Sequence, residues 1–137
     1  MTVCAHWSLA YLGLPWRDHG RDHDGVDCWG LVRLVYRERW GLDLDGYDGV
    51  YASAGEVAAI DAAIRTAAVS PTWMRIDRPI EGDVALYRRG RAEAHVGLVI
   101  GERLLHAVEP FGVRLELLAT PRLACRLVGY HRHAGRL

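Results

Sequence analysis

Residues 83–118, DVALYRRGRAEAHVGLVIGERLLHAVEPFGVRLELL, decide the fold class of this chain. Short runs of Val, Leu and Ile alternate here with Gly, Pro and charged residues, a pattern typical of strands joined by tight turns. Because the connections are short, neighbouring strands should pair antiparallel. We predict five strands, at 83–88, 95–101, 103–109, 112–118 and near 124–131.

The sequence before this region predicts helices and loops instead. Residues 28–40, CWGLVRLVYRERW, carry small and apolar side chains at the three- and four-residue spacing of one helix face. Asp27 is suited to cap the start of this helix, and Gly41 to end it. Further helices are predicted over residues 2–12 and near 54–68.

Helices followed by a run of antiparallel strands indicate an α+β fold. The 137 residues fit one domain, 1–137, and half of them are hydrophobic, which is enough for a core. Lys and Arg together number 17, as do Asp and Glu, so no basic surface for nucleic acid is expected. We also expect no membrane anchor and no signal peptide, since no apolar run is long enough and the N-terminus lacks a basic region.

Three cysteines, Cys4, Cys28 and Cys125, are too few and too widely spaced for a disulfide framework or a structural zinc site. Cys28 stands at the predicted start of a helix, where backbone N–H groups and the helix dipole favour a thiolate. The carboxylate of Asp27 opposes this unless it caps the helix. A small buried core residue is the alternative interpretation of Cys28, and the other two cysteines are predicted to be packing residues.

Two histidines are candidates for general-base chemistry on that thiol. His95 opens an apolar predicted strand, and His106 lies 11 residues later on the next one. A base must reach the sulfur, and a third polar group can fix its tautomer. The alternative is that both are ordinary strand histidines, and only the register of the two strands decides between these readings.

The loop at 15–25 contains His19, Asp22, His23 and Asp24, whose side chains suit a divalent ion. We favour a solvated loop beside the cleft and predict no metal and no other cofactor.

Four motifs together resemble the NlpC/P60 cysteine peptidases. Residues 25–32, GVDCWGLV, resemble the D-C-[small]-G-[apolar]-V signature around the nucleophile, and residues 81–84, EGDV, resemble a P-G-D-[apolar] turn. Residues 95–101, HVGLVIG, match the strand of the base, and residues 105–107, LHA, match the strand of the third catalytic residue. The motifs occur in the family's order over most of the chain.

This resemblance implies a papain-like core, with N-terminal helices packed on a small antiparallel sheet. It implies hydrolysis of amide bonds in peptidoglycan stem peptides, typically next to a γ-D-glutamyl residue. It assigns Cys28 as the nucleophile, His95 as the base and His106 as the residue that orients the base.

Trp16 stands where many members of the family have Tyr, and Trp29 stands where Ser is usual. We assign contacts with the substrate to Trp16, Asp27 and Trp29. The form of residues 20–33, GRDHDGVDCWGLVR, is similar to a phage branch that includes tail-tip and gene-transfer-agent peptidases. That branch implies tail-tip or baseplate proteins as partners, and synthesis in the host cytoplasm followed by incorporation into a phage-like particle.

Two alternatives remain open at this point. The chain could be a non-catalytic tail component that keeps the same fold. It could also be a thiol acyltransferase or amidase that acts on another substrate.

Overall fold

The computed structural model describes residues 6–44, 73–89 and 92–136. The helix predicted near 54–68 and Cys4 therefore lie outside the described residues. Within them, no helix is long and apolar enough to cross a bilayer. In chain order the elements are a 3-10 helix at Trp7–Ala10, β1 (Arg21–Asp22), β2 (Gly25–Val26), α1 (Cys28–Trp40), β3 (Trp73–Ile76), β4 (Val84–Arg89), β5 (Ala92–Ile100), β6 (Arg103–Val108), β7 (Gly112–Leu117), α2 (Pro121–Ala124), β8 (Leu127–His133) and a final 3-10 turn at Ala134–Arg136.

The helix α1 has the bounds that the sequence predicts. The side chain of Asp27 accepts a hydrogen bond from the Gly30 N–H at its start. Gly41 adopts a left-handed conformation with φ of 65° at its end, which a residue without Cβ does at little cost. The helix buries one broad face in the main core, formed by Leu31, Val32, Leu34, Val35 and Tyr36.

Six strands form one antiparallel sheet in the order β3-β8-β4-β5-β6-β7. The helix α1 contacts β5 and β6, and alternate residues such as Val96, Leu98 and Leu105 join its core. Residues on the other face of the same strands, among them Val99 and Leu104, form a smaller hydrophobic cluster that includes Leu123. The predicted α+β fold with a small antiparallel sheet is confirmed.

Three elements differ from the sequence prediction. The helix expected over 2–12 is a four-residue 3-10 helix within the described part, and it stops before Gly13, which has a φ of 83°. The segment 15–25, expected to be a loop, contains β1 and the first residue of β2, and these two strands pair as a short hairpin. The strand β3 was not predicted, and it pairs with β8 at the edge of the sheet.

The turn before β4 is anchored by a buried carboxylate. Asp83 is fully buried and accepts hydrogen bonds from Arg132 at 2.8 and 2.9 Å and from Arg136 at 3.1 Å. The Tyr36 hydroxyl donates to the carbonyl of Gly82 at 2.7 Å. These bonds join the EGDV turn to both α1 and the end of β8, so this motif has a structural role.

Candidate active site

Cys28 is the first residue of α1, and it is half-buried at the edge of the main core. The first N–H groups of a helix point away from its body, and the helix dipole places partial positive charge there. A thiol in this position is favoured as a thiolate, which is the nucleophilic form of cysteine. The structure thus gives Cys28 the environment expected from the sequence.

The carboxylate beside it is fully engaged in holding this turn. Asp27 is 2 % exposed, and its Oδ1 accepts from the Gly30 N–H at 2.7 Å and from Arg21 Nη1 at 2.9 Å. Its Oδ2 accepts from the His19 N–H at 3.1 Å. The guanidinium of Arg21 offsets the negative charge next to the thiol. The predicted contact of Asp27 with substrate is therefore corrected to a capping and bracing role.

The adjoining loop packs closely on the same helix turn. A Cβ at Gly30 would lie 1.9 Å from the carbonyl oxygen of Gly20, so no side chain fits there. This close approach explains the glycine two residues after Cys28.

The two candidate histidines lie side by side on one face of the sheet. Leu98 pairs with Leu105 across β5 and β6, and the same register puts His106 across from Gly97, two residues from His95. The Nε2 atom of His95 lies 2.9 Å from Nδ1 of His106, a hydrogen-bond distance, and the ring planes are inclined at 69°. The register of β5 and β6 thus brings the rings of His95 and His106 together, which was the condition for the histidine pair predicted from the sequence.

His106 is the more deeply enclosed of the two. It is 1 % exposed, and its Nε2 atom lies 3.3 Å from Oε2 of Glu116 on β7. Burial lowers the pKa of the His106 imidazole, and the nearby carboxylate of Glu116 opposes this only in part. His106 is therefore a neutral ring at neutral pH.

A pocket of about 170 Å³ opens beside this histidine pair. Trp16 and Tyr87 line it, and the Tyr87 ring lies 6.2 Å from that of His95. The remaining wall is mixed: Ala107, Val108 and Leu123 are apolar, and the charged side chains are Arg88, Glu109, Arg122 and Arg126. A substrate in this pocket would meet His95, an indole face and several guanidinium groups.

Of the aromatic residues assigned to the substrate, only Trp16 lines this pocket. Trp29 is 8 % exposed and packs in the core, with its ring 6.3 Å from that of Trp73. One residue along a helix turns the side chain about 100°, so Trp29 faces the core although it follows Cys28. The substrate contact predicted for Trp29 is corrected to a core role.

The other residues considered from the sequence have different surroundings. His23 Nε2 lies 2.9 Å from Glu38 Oε1, and the Asp22 side chain accepts from the Asp24 N–H at 2.9 Å. Across residues 6–44, 73–89 and 92–136, no group of three His, Cys, Asp or Glu side chains is arranged to hold a metal ion. Cys125 is exposed, so its predicted packing role is wrong.

Comparison with known proteins identifies the family of this chain. The model of the NlpC/P60 family matches residues 13–132. The chain belongs to the NlpC/P60 family. The NlpC/P60 match includes the start of α1, both histidines and nearly all of β8.

Among curated proteins, the chain is 29 % identical over 122 residues to the murein DD-endopeptidase MepS/murein LD-carboxypeptidase of Escherichia coli K12. The match covers 88 % of this chain and 54 % of that protein. Protein P54 of Enterococcus faecium is 27 % identical over 101 residues, which cover 73 % of this chain and 16 % of P54. The chain thus spans about half, or less, of these relatives.

Solved structures support the fold. The NlpC/P60 domain of the peptidoglycan hydrolase SagA superposes with a TM-score of 0.57 at 23 % identity, covering 81 % of this chain and 83 % of that one. An NlpC/P60 family protein from Bacillus cereus gives a TM-score of 0.67 at 18 % identity, covering 92 % of this chain and 37 % of that one.

Sequence reasoning missed two residues that border the histidine pair in this NlpC/P60 domain. Glu116 lies in the predicted strand 112–118, where it resembles an ordinary outward-facing charge. Arg122 in α2 donates to Glu116 Oε2 at 2.6 Å. Only the pairing of Leu104 with Glu116 across β6 and β7 puts the carboxylate next to His106.

Proposed function

We propose that this NlpC/P60 domain is a cysteine peptidase that hydrolyses amide bonds in peptidoglycan stem peptides. Cys28 is the nucleophile, His95 the general base and His106 the residue that orients the base. The observation that carries the proposal is the 2.9 Å contact between the two histidines at a pocket, on strands packed against the helix that begins with Cys28. The murein endopeptidase and peptidoglycan hydrolase named among the related proteins support the choice of substrate.

The reaction proceeds through an acyl-enzyme. His95 takes the proton of the Cys28 thiol, and the thiolate attacks the scissile carbonyl carbon. Backbone N–H groups at the start of α1, including that of Cys28, stabilise the oxyanion. The protonated His95 then gives its proton to the leaving amine as the C–N bond breaks. Water, deprotonated by His95, attacks the thioester, and the thiol is restored when the carboxylic acid leaves.

The charge of the pocket suits this substrate class. Stem peptides next to a γ-D-glutamyl linkage carry a free α-carboxylate. Arg88 and Arg126 line the pocket, and their side chains have no ion-pair partner among the described residues. Arg guanidinium groups bind carboxylates in a paired geometry. These two side chains are therefore suited to receive a carboxylate of the substrate.

The test is mass analysis of muropeptides released from purified peptidoglycan by the wild type and by Cys28→Ala. We expect release by the wild type and none by the variant. Cys125→Ala removes the same thiol group from an exposed position and should behave like the wild type. Wall-lytic activity that persists in Cys28→Ala would overturn the assignment.

Alkylation of the cysteines, combined with the muropeptide measurement, addresses the non-catalytic alternative. An activated thiol at Cys28 should react with iodoacetamide at neutral pH faster than Cys125 does, when peptide mass spectrometry resolves the two sites. A wild type that releases no muropeptides and whose Cys28 reacts as slowly as Cys125 would favour a structural component. Release of fragments from a different amide substrate, but not from peptidoglycan, would favour the related amidase or acyltransferase.

We further propose that the domain acts from a phage-like tail, for wall penetration during DNA delivery. The form of residues 20–33, with Trp29 directly after the nucleophile, supports this, as it is similar to the phage branch of the family. The partners would be tail-tip or baseplate proteins, after synthesis in the host cytoplasm. Proteomic analysis of purified particles from the producing cells tests the proposal, and absence of the chain from those particles would refute it.

A further inference from the structure

The two ring nitrogens of His106 face different groups. Nδ1 faces His95 Nε2 at 2.9 Å, and Nε2 faces the Oε2 atom of Glu116 at 3.3 Å. The Glu116 contact is close but is not aligned as a hydrogen bond. Among the described residues, no group makes a hydrogen bond with Nε2 of His106. An imidazole has one proton to place when it is neutral. The surroundings of Nε2 therefore decide which nitrogen holds it.

Glu116 is held in position by a cation. Arg122 Nη2 donates to Oε2 of Glu116 at 2.6 Å, the same oxygen that faces His106. Burial raises the pKa of Glu116, but the hydrogen bond from Arg122 and the nearby positive charges lower it by more. The net shift is downward, so Glu116 is a carboxylate at neutral pH. A carboxylate accepts hydrogen bonds and donates none.

We propose that Glu116, held by Arg122, keeps the proton of His106 on Nε2, so that His106 Nδ1 accepts from His95 Nε2–H. The remaining lone pair of His95, on Nδ1, is then the acceptor for the Cys28 proton. Glu116 is a positioning residue, because it acts through His106 and touches neither the nucleophile nor the scissile bond. This inference rests on the proposed function for its catalytic consequence, but the tautomer itself does not.

The charged and titratable groups around His106 favour a proton on Nε2 of its ring. Glu116 faces it from β7 and His95 from β5, while Arg114 lies across from it in the β6–β7 register. Arg122 approaches from α2. Glu109 lines the same pocket, but Glu116 is the acidic residue that contacts Nε2, so it is the group that attracts the Nε2 proton.

The tautomer also matters when charge develops. When His95 Nδ1 takes the Cys28 proton, His95 becomes an imidazolium that still donates from Nε2 to His106. The negative charge of Glu116, beyond His106, favours this cation. With the opposite tautomer, Nδ1–H of His106 would point at Nε2–H of His95. His95 would then have to turn, or to carry its proton on Nδ1, where it faces the thiol and prevents that nitrogen from accepting the Cys28 proton.

The direct experiment is NMR of the wild-type domain labelled with ¹⁵N-histidine, which distinguishes protonated from bare ring nitrogens. The His106 signals are assigned from their loss in His106→Gln. We expect His106 to be protonated at Nε2 and bare at Nδ1. A His106 ring protonated at Nδ1 would overturn the proposal, whether or not the domain hydrolyses peptidoglycan.

Kinetics on the same domain test the consequence. We expect Glu116→Ala to lower kcat about 10- to 100-fold with KM little changed, since misdirecting a catalytic imidazole costs at least this much elsewhere. Glu116→Gln should retain most of kcat, because Arg122 requires an acceptor and therefore turns the amide oxygen towards His106. Glu102→Ala removes an exposed carboxylate from the β5–β6 turn and should match the wild type.

The outcomes separate this inference from the proposed function. If Glu116→Ala has the same kcat as Glu102→Ala while Cys28→Ala is inactive, the positioning role is wrong and the peptidase assignment stands. If the wild type is inactive on peptidoglycan and His106 is protonated at Nε2, the tautomer assignment stands and the proposed function fails. Should Glu116→Ala not fold, Glu116→Gln and the wild-type spectrum decide.

Discussion

Replacing Asp27 measures how much its carboxylate stabilises the first turn of α1, which begins with Cys28. Its carboxylate caps α1 at Gly30 and pairs with Arg21, whose side chain is 16 % exposed. Loss of a helix cap costs about 1 kcal/mol, and loss of one partner of a buried ion pair about 3–5 kcal/mol. We take the lower end for the pair, because Arg21 also donates to the Gly20 carbonyl at 2.9 Å. Asp27→Ala should therefore lower the free energy of unfolding by about 4 kcal/mol.

Asp27→Asn separates the two contributions, since Asn caps helices about as well as Asp but carries no charge. We expect it to cost about 3 kcal/mol, measured by urea-induced unfolding with the m-value checked for constancy. Asp43→Asn is the matched control, because its side chain is 84 % exposed and lies 3.9 Å from Arg33. A surface pair of this kind contributes about 0–1 kcal/mol. If Asp27→Asn unfolds at the same urea concentration as Asp43→Asn, the bracing role is refuted.

Two further predictions concern the substrate and pH. Replacing Arg88 and Arg126 together by Gln should raise KM several-fold for a stem peptide with a free γ-D-glutamyl α-carboxylate, but not for its α-amidated analogue. Arg103→Gln, an exposed arginine outside the pocket, should change neither value, and equal effects of the double variant on both peptides would contradict the carboxylate role. Burial lowers the pKa of His106 below its usual 6.5 in the folded state. The contribution of His106 to the free energy of unfolding should therefore be constant above pH 6.5 and decrease as the pH falls below it. Glu116, whose pKa is lowered from its usual 4.5 despite burial, adds its own loss only below that value. His106→Gln should thus have a shallower decrease between pH 6.5 and 4.5 in denaturant titrations, and an unchanged slope would be evidence against the buried neutral ring.

The regular elements were predictable where the sequence pattern and the tertiary environment agree. The apolar stripe between Asp27 and Gly41 specifies α1 to the residue, since both caps are encoded locally. The strands β4 to β8 were predicted within a few residues because Gly and Pro separate their apolar runs. In contrast, β3 is four residues long and alternates poorly, so only its pairing with β8 identifies it.

Only part of the site was predictable, because local sequence patterns specify some of its residues and not others. The spacing of His95 and His106 around a tight turn allowed one face to carry both rings. Trp29 was misplaced because proximity in sequence to Cys28 does not set the direction of a helical side chain. Glu116 was missed because its role depends on the register of β6 and β7, which no local pattern specifies.

The position of β8 has a consequence for how the chain is made. A ribosome delivers β8 after every other strand of the sheet, yet β8 lies between β3 and β4. Until it emerges, both of those strands have an unpaired edge, and unpaired edges are sites for pairing with other chains. The carboxylate of Asp83, next to β4, also lacks the hydrogen bonds from Arg132 and Arg136 until those residues have been synthesised. The sheet can therefore close only after β8 has been synthesised, so translational stalling before residue 127 should yield nascent chains that need chaperone protection.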